Sequence, residues 1–149
     1  MLFFGFFWAF FHIGFSPPVN FGFIYPPLAV KAPELSLPFF NTVLLLLSGM
    51  FVTLVHKNIC LGNFKETIDN LIITISLGFL FIGLQGMEYY KTSFNFFDSV
   101  YACSFYMLTG LHGMHVLVGA TFLFFCLLRA FRRHFLTSHY LGLVMAIWY

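Results

Sequence analysis

Two histidines lie three residues apart in the apolar stretch 109–120, which reads Thr-Gly-Leu-His-Gly-Met-His-Val-Leu-Val-Gly-Ala. In a helix this spacing places the rings of His112 and His115 about 60° apart on one face. Imidazoles in this arrangement can ligate a metal together, or one of them can hold a haem with a ligand from another helix. The alternative is structural: both rings hydrogen-bond a neighbouring helix, which Gly110 and Gly113 allow to approach closely. Because the sequence has no second ligand cluster, the structural alternative is favoured.

Two further ionisable residues, Glu88 and His12, occur near the ends of apolar segments. A carboxylate at membrane depth can belong to a proton relay. Glu88 is followed by Tyr89, Tyr90 and Lys91, a composition typical of the membrane surface, so solvation or pairing is its favoured role. His12 is interpreted as an interfacial or packing residue.

The segment 129–139 carries a basic cluster. Such a cluster can simply set the orientation of the protein in the membrane. It can also bind the head groups of anionic phospholipids, because an arginine side chain offers bidentate contacts to a phosphate. The residues alone leave both interpretations open. The cluster consists of Arg129, Arg132, Arg133, His134 and His139.

The sequence offers no constellation for catalysis. It contains no G-x-S-x-G, P-loop or H-E-x-x-H motif and no pair of carboxylates within an apolar segment. Cys60, Cys103 and Cys126 lie far apart without C-x-x-C spacing, which disfavours a disulfide framework or a zinc site. The net charge of +2 is too small to indicate a nucleic-acid partner.

The elements that must position these residues are membrane helices. Hydrophobic residues make up 60% of the chain and charged residues only 8%, whereas a soluble surface is about a quarter charged. A membrane span needs about 20 apolar residues, which predicts spans over 38–55, 68–87 and 98–128. The segments 1–15 and 141–149 are apolar but short, and we expect them to be truncated membrane helices. The chain is therefore expected to be a single all-α membrane domain, a polytopic transmembrane helix bundle of about five membrane segments.

The linkers between these segments predict the topology. If each segment crosses once, the linkers 16–37 and 89–97 share one side with two Lys/Arg, and the linkers 56–67 and 129–139 share the other with five. The positive-inside rule places the second pair toward the cytoplasm or mitochondrial matrix.

Several strings, in order along essentially the whole chain, resemble subunit III of haem–copper cytochrome c oxidase. The strings are Gly-Phe-Phe-Trp-Ala-Phe-Phe-His at 5–12, Pro26-Pro27, 38–49, Glu88-Tyr89-Tyr90, Asp-Ser-Val-Tyr at 98–101, 109–119, and Ala-Ile-Trp-Tyr at 146–149. Members of this family have seven transmembrane helices, and the chain looks like helices III to VII with the first and last truncated. We therefore expect a split subunit, in which separate chains supply helices I and II and the rest of helix VII.

The resemblance also implies a function. The family subunit binds no haem or copper itself, packs on the catalytic subunit I among the other subunits of the proton-pumping oxidase (complex IV), and holds structural phospholipids. Arg129, Arg132, His134 and His139 fall on the family's basic and histidine positions, so they are the candidates for binding lipid head groups. The family's own histidine pair, matched by His112 and His115, binds no metal.

Two alternatives to this assignment stay open. One is a membrane carrier of haem or metal that uses His112, His115 and a third histidine such as His12 or His56. The other is the equivalent subunit of a quinol oxidase, because no residue here distinguishes the electron donor. The 24 phenylalanines are what an AT-rich genome favours. Together with the split, they favour a mitochondrial inner-membrane protein over a bacterial one.

Overall fold

The structure is a computed structural model that describes residues 2–16, 36–135 and 140–149. Its described elements are all helices, which confirms the all-α prediction. The helices are α1 (Leu2–Phe15), α2 (Ser36–Cys60), α3 (Phe64–Lys91), α4 (Val100–Phe131) and α5 (Leu141–Trp148).

The three long helices α2, α3 and α4 are apolar and long enough to cross a membrane, as predicted. They run further than the predicted spans, because residues 56–60, 64–67, 89–91 and 129–131 are helical although they were expected to be linkers. A helix can continue past its apolar stretch because its backbone N–H and C=O groups remain hydrogen-bonded within the helix there. In contrast, Asp98 and Ser99 precede α4, whose first turn is capped by Ser99 Oγ accepting from Ala102 N at 3.0 Å.

The turn between α2 and α3 is built by a glycine. Gly62 adopts a φ of 77°, in the left-handed region that glycine enters without steric cost. The amide of Asn63 donates to Asn58 O at 3.0 Å, and the amide of Gly62 donates to Ile59 O at 3.2 Å. This pair of hydrogen bonds is a Schellman motif, which pairs carbonyls that the helix end leaves free. Three residues thus suffice to turn the chain back into α3.

The end of α4 repeats the same motif without glycine. The amide of His134 donates to Arg129 O and the amide of Arg133 donates to Ala130 O, both at 3.0 Å. Arg133 occupies the left-handed position with a φ of 53°. A side chain with a Cβ is strained there, since the left-handed region costs about 1–2 kcal/mol for residues other than glycine.

Contacts between helix ends confirm which linkers share a side. Cys60, at the end of α2, donates its thiol hydrogen bond to Tyr140 Oη at 3.3 Å, next to the start of α5. Phe10 of α1 and Tyr101 of α4 approach to 6.2 Å between ring centroids at the opposite end. The end with Cys60 is called the basic end below, because the linkers with five Lys/Arg meet there. Its placement on the inner side of the membrane stays a prediction.

The main core lies at the basic end, where α2, α3, α4 and α5 meet. Leu143 of α5 is fully buried there, although α5 is only 8 residues long. This short helix is therefore anchored by packing rather than by its own helix propensity. The buried residues of this core are Val55, Ile59, Leu71, Ile75, Cys126, Leu127, Ala130, Phe135 and Leu143.

Substitutions at the left-handed positions of the two Schellman motifs should therefore have opposite effects on stability. We expect Gly62→Ala to destabilise the chain and Arg133→Gly to stabilise it, each by about 1 kcal/mol, because only glycine is unstrained at these φ values. Equilibrium unfolding in mixed detergent micelles measures both. Gly49→Ala is the control: a Cβ there meets no atom within 4 Å, so this helical substitution should be neutral or stabilising. Equal effects of Gly62→Ala and Gly49→Ala would contradict the prediction.

Candidate functional site

The two histidines of α4 point at different partners. The ring of His112 meets Phe81 of α3 edge-on, with centroids 5.9 Å apart. The ring of His115 stacks on Tyr149 at 4.2 Å and meets Phe3 of α1 edge-on at 5.5 Å. The pair therefore joins α4 to α3 on one side and to α1 and the end of α5 on the other.

These contacts differ in kind from the hydrogen bonds expected for the pair. Within the described residues, His112 and His115 contact aromatic rings, which contributes roughly 0.5–1.5 kcal/mol for a ring pair. A Cβ placed at Gly110 or Gly113 would meet no atom within 4 Å, so none of the described helices makes the predicted close approach there. Gly119, in the same stretch, has a close neighbour: a Cβ there would lie 3.7 Å from the Tyr149 ring.

The other histidines do not converge on this pair. His12 lies in the last turn of α1 and His56 in the last part of α2, where its ring meets Tyr140 at 5.8 Å. Among residues 2–16, 36–135 and 140–149, no group of three His, Cys, Asp or Glu side chains is arranged to hold a metal. In the described part of the chain, no third ligand for the metal-carrier alternative is thus brought to His112 and His115.

Glu88 is more buried than its interfacial position suggested. It lies in the last turn of α3 with 7% of its surface exposed. The segment 92–99 folds back beside the helix ends: Tyr106 Oη donates to Phe94 O at 2.9 Å and lies 2.6 Å from Thr92 Oγ1. Phe94 is itself buried beneath these rings.

The proposed lipid residues gather where α4 ends. Arg129, Arg132 and His134 are all exposed there. The guanidinium carbon of Arg129 lies 4.9 Å from the centre of the Phe135 ring, a cation–π contact. A Cβ at Gly142 would lie 2.9 Å from Arg129 Nη1, so only a glycine leaves this guanidinium in its place.

Two of these side chains belong to the turn itself. Arg132 is the C-cap of α4 and His134 closes the Schellman motif, so the turn sets their backbone positions. The fourth candidate, His139, lies outside the described residues.

A polar contact that sequence analysis missed links α2 to the start of α5. His56 and Cys60 lie one helical turn apart on α2, and both contact Tyr140. The i, i+4 spacing of His56 and Cys60 is visible in the sequence, but Tyr140, their shared partner, lies 80 residues after Cys60.

Three apolar helices of spanning length, with histidines packed on aromatic rings, define a polytopic helical membrane protein. Comparison with known proteins specifies it further. A family model described as cytochrome c oxidase subunit III matches residues 1–149. The chain belongs to the cytochrome c oxidase subunit III family.

Individual relatives agree with the family match. The chain is 47% identical over 148 residues to "Cytochrome c oxidase subunit 3" of Coturnix japonica and of Gallus gallus, and 46% identical to that of Salmo salar. These alignments cover 99% of this chain and 57% of each relative. The chain thus spans a little over half the length of the relatives it matches.

The Cys60–Tyr140 contact can be tested by removing one hydroxyl. Tyr140→Phe keeps the ring near His56 but removes the acceptor for the Cys60 thiol, a loss of about 0.5 kcal/mol. We expect alkylation of Cys60 by a water-soluble maleimide to become about twofold faster, measured by mass spectrometry of the peptide that carries it. Tyr149→Phe is the matched control, because its ring stacks on His115 far from Cys60. An unchanged rate for Tyr140→Phe would show that the hydrogen bond does not restrain the thiol.

Proposed function

We propose that this chain is a non-catalytic core subunit of a respiratory terminal oxidase, the complex that passes electrons from cytochrome c to oxygen and pumps protons. It packs on the haem- and copper-bearing subunit I and stabilises it. The observation that carries the proposal is the 47% identity to relatives named cytochrome c oxidase subunit 3 over 148 residues of this chain. Those names favour cytochrome c over a quinol as the electron donor.

The contacts of the polar residues support a packing role. The rings of His112 and His115 are engaged with Phe81, Phe3 and Tyr149. An imidazole held between aromatic rings adds contact area between helices and commits no nitrogen to a reaction. Haem and copper would accordingly be bound by partner subunits.

A second part of the proposal is that the basic end holds anionic phospholipid. Arg129 supports this, because its exposed side chain is positioned by the Phe135 ring and by the space at Gly142. A positioned guanidinium loses less side-chain entropy when it binds a phosphate. Arg132 and His134 lie in the same turn and add positive charge or hydrogen-bond donors. His139 is the fourth residue of the proposed lipid-binding set. The same proposal makes this chain a multi-pass protein of the mitochondrial inner membrane, with its basic end facing the matrix.

The assignment is tested by isolating the chain from its native membrane in mild detergent. Peptide sequencing and a visible spectrum of the isolated material are then recorded. Co-purification with a haem-bearing subunit I is the expected result. A chain that carries a haem or metal spectrum without other subunits would overturn it and make His112 and His115 ligands. That separate chains supply further family helices stays a prediction, and the same peptide inventory tests it.

Lipid binding is expected to depend on the arginines at the end of α4. Arg129→Ala combined with Arg132→Ala should release anionic phospholipid and shorten the working life of the oxidase, with initial turnover near normal. The expected loss is about 1 kcal/mol of binding free energy per arginine. Lipid is counted by mass spectrometry after a delipidating wash. Lys57→Ala combined with Lys65→Ala is the control, because it removes two charges from the same end but leaves α4 intact. Equal lipid content in all three proteins would contradict the assignment.

His112 should matter for assembly but not for the haem spectrum. His112→Leu removes the edge-on contact with Phe81, which costs about 1 kcal/mol, and should lower the yield of assembled complex. Every optical haem band per complex should stay unchanged. Met114→Leu is the control, since Met114 lies two residues away and is 64% exposed. Loss of a haem band at unchanged yield of the complex would refute the packing role.

A further inference from the structure

The buried and half-buried residues of α2 and α3 recur at alternating intervals of three and four residues, which is the pattern of helices packed along a shared seam. Every position of this seam is buried or half-buried. On α2 the positions are Asn41, Leu44, Ser48, Phe51, Val55 and Asn58, and on α3 they are Thr67, Leu71, Thr74, Gly78, Phe81, Gln85 and Glu88. More than half of these residues are polar or glycine, which is unusual for helices that face lipid on their other side.

All three hydroxyls of the seam donate hydrogen bonds to backbone carbonyls. Thr67 Oγ1 donates to Asn63 O at 2.9 Å, Thr74 Oγ1 donates to Asn70 O at 2.8 Å, and Ser48 Oγ donates to Leu45 O at 2.8 Å. A hydroxyl can turn back to a carbonyl of the preceding turn in this way. These residues therefore need no further partner.

Asn41 differs from them. Its side chain is 4% exposed, and neither Oδ1 nor Nδ2 has a hydrogen-bond partner in the part of the protein that the structure describes. An amide needs both a donor for its oxygen and acceptors for its two N–H groups. Leaving such a group unpaired among apolar side chains is costly, so the great majority of buried polar groups are paired.

The species that pairs with Asn41 must be small and must both donate and accept. A side chain of another subunit would have to enter a position that is already closed within this chain, and a lipid head group is too large to reach it. A metal cation cannot accept from Nδ2, and an anion without protons cannot donate to Oδ1. A water molecule meets both requirements and is the usual partner of such groups in protein interiors.

The hairpin places a second polar side chain at a depth similar to that of Asn41. Because the turn at Gly62 is tight, residues about equally far from it along α2 and α3 lie at similar depth. Asn41 and Gln85 are at similar depth by this criterion, and both lie on the seam.

We propose that Asn41 binds an internal water molecule in the seam between α2 and α3, with Gln85 as the second ligand. The water replaces a direct interhelical hydrogen bond and holds the ends of α2 and α3 that lie away from the basic end. The site is independent of the lipid residues, which lie at the opposite end of the bundle.

A map of the purified intact complex at a resolution that shows ordered water tests the proposal. The expected result is a density peak within about 2.7–3.2 Å of an Asn41 amide atom. Asn41→Leu should lose this peak. Thr42→Val is the control and should keep it, because the exposed Thr42 hydroxyl bonds Pro38 O within its own helix at 2.7 Å. If Asn41→Leu fails to assemble, the map of the unsubstituted complex decides alone. Direct pairing of Asn41 with a protein group, or no density beside its amide, would overturn the proposal.

Discussion

The hydrocarbon core of a membrane contains no water to pair with backbone groups, and this constraint determines the architecture of the chain. Every peptide group of a spanning segment must be paired within its own helix, so α2, α3 and α4 run as unbroken helices of 25, 28 and 32 residues. The same requirement applies to their ends. Schellman motifs at Gly62 and Arg133 pair carbonyls at the basic end, where α2 and α4 end. The turn between α2 and α3 takes only three residues.

The rest of the packing follows from where those turns bring the helices together. Leu71 of α3, Leu127 of α4 and Leu143 of α5 are buried together at the basic end. This packing fixes the three helices there, including the short helix α5. Toward the other end, contacts between α1, α3 and α4 are made by aromatic rings, including those around Tyr101 and Phe94. Rings suit this role because they fill wide gaps between helices and orient each other edge-to-face.

The sequence predicted the elements better than their contacts. Hydropathy located all three long helices, because a span of apolar residues has few other solutions in a membrane. It misplaced their ends, since α2 and α3 stay helical where the residues become polar. Glu88 was expected to be solvated or paired near the membrane surface, but it is buried, and no local pattern encodes which residues cover it. The partners of His112 and His115 were missed for the same reason: Phe81, Phe3 and Tyr149 lie far away in sequence.

Arg129 connects the fold of the basic end to its proposed ligand. Its guanidinium lies on the ring of Phe135, which is 3% exposed, and against Gly142 in the first turn of α5. A cation over an aromatic face keeps its edge N–H groups available, so a phosphate can approach without displacing the ring. An anion bound there would strengthen the hold of α4 on α5 instead of competing with it. Arg132 and Arg133 lack such a contact in the described part of the chain, which makes Arg129 the residue through which lipid binding and packing of α5 would reinforce each other.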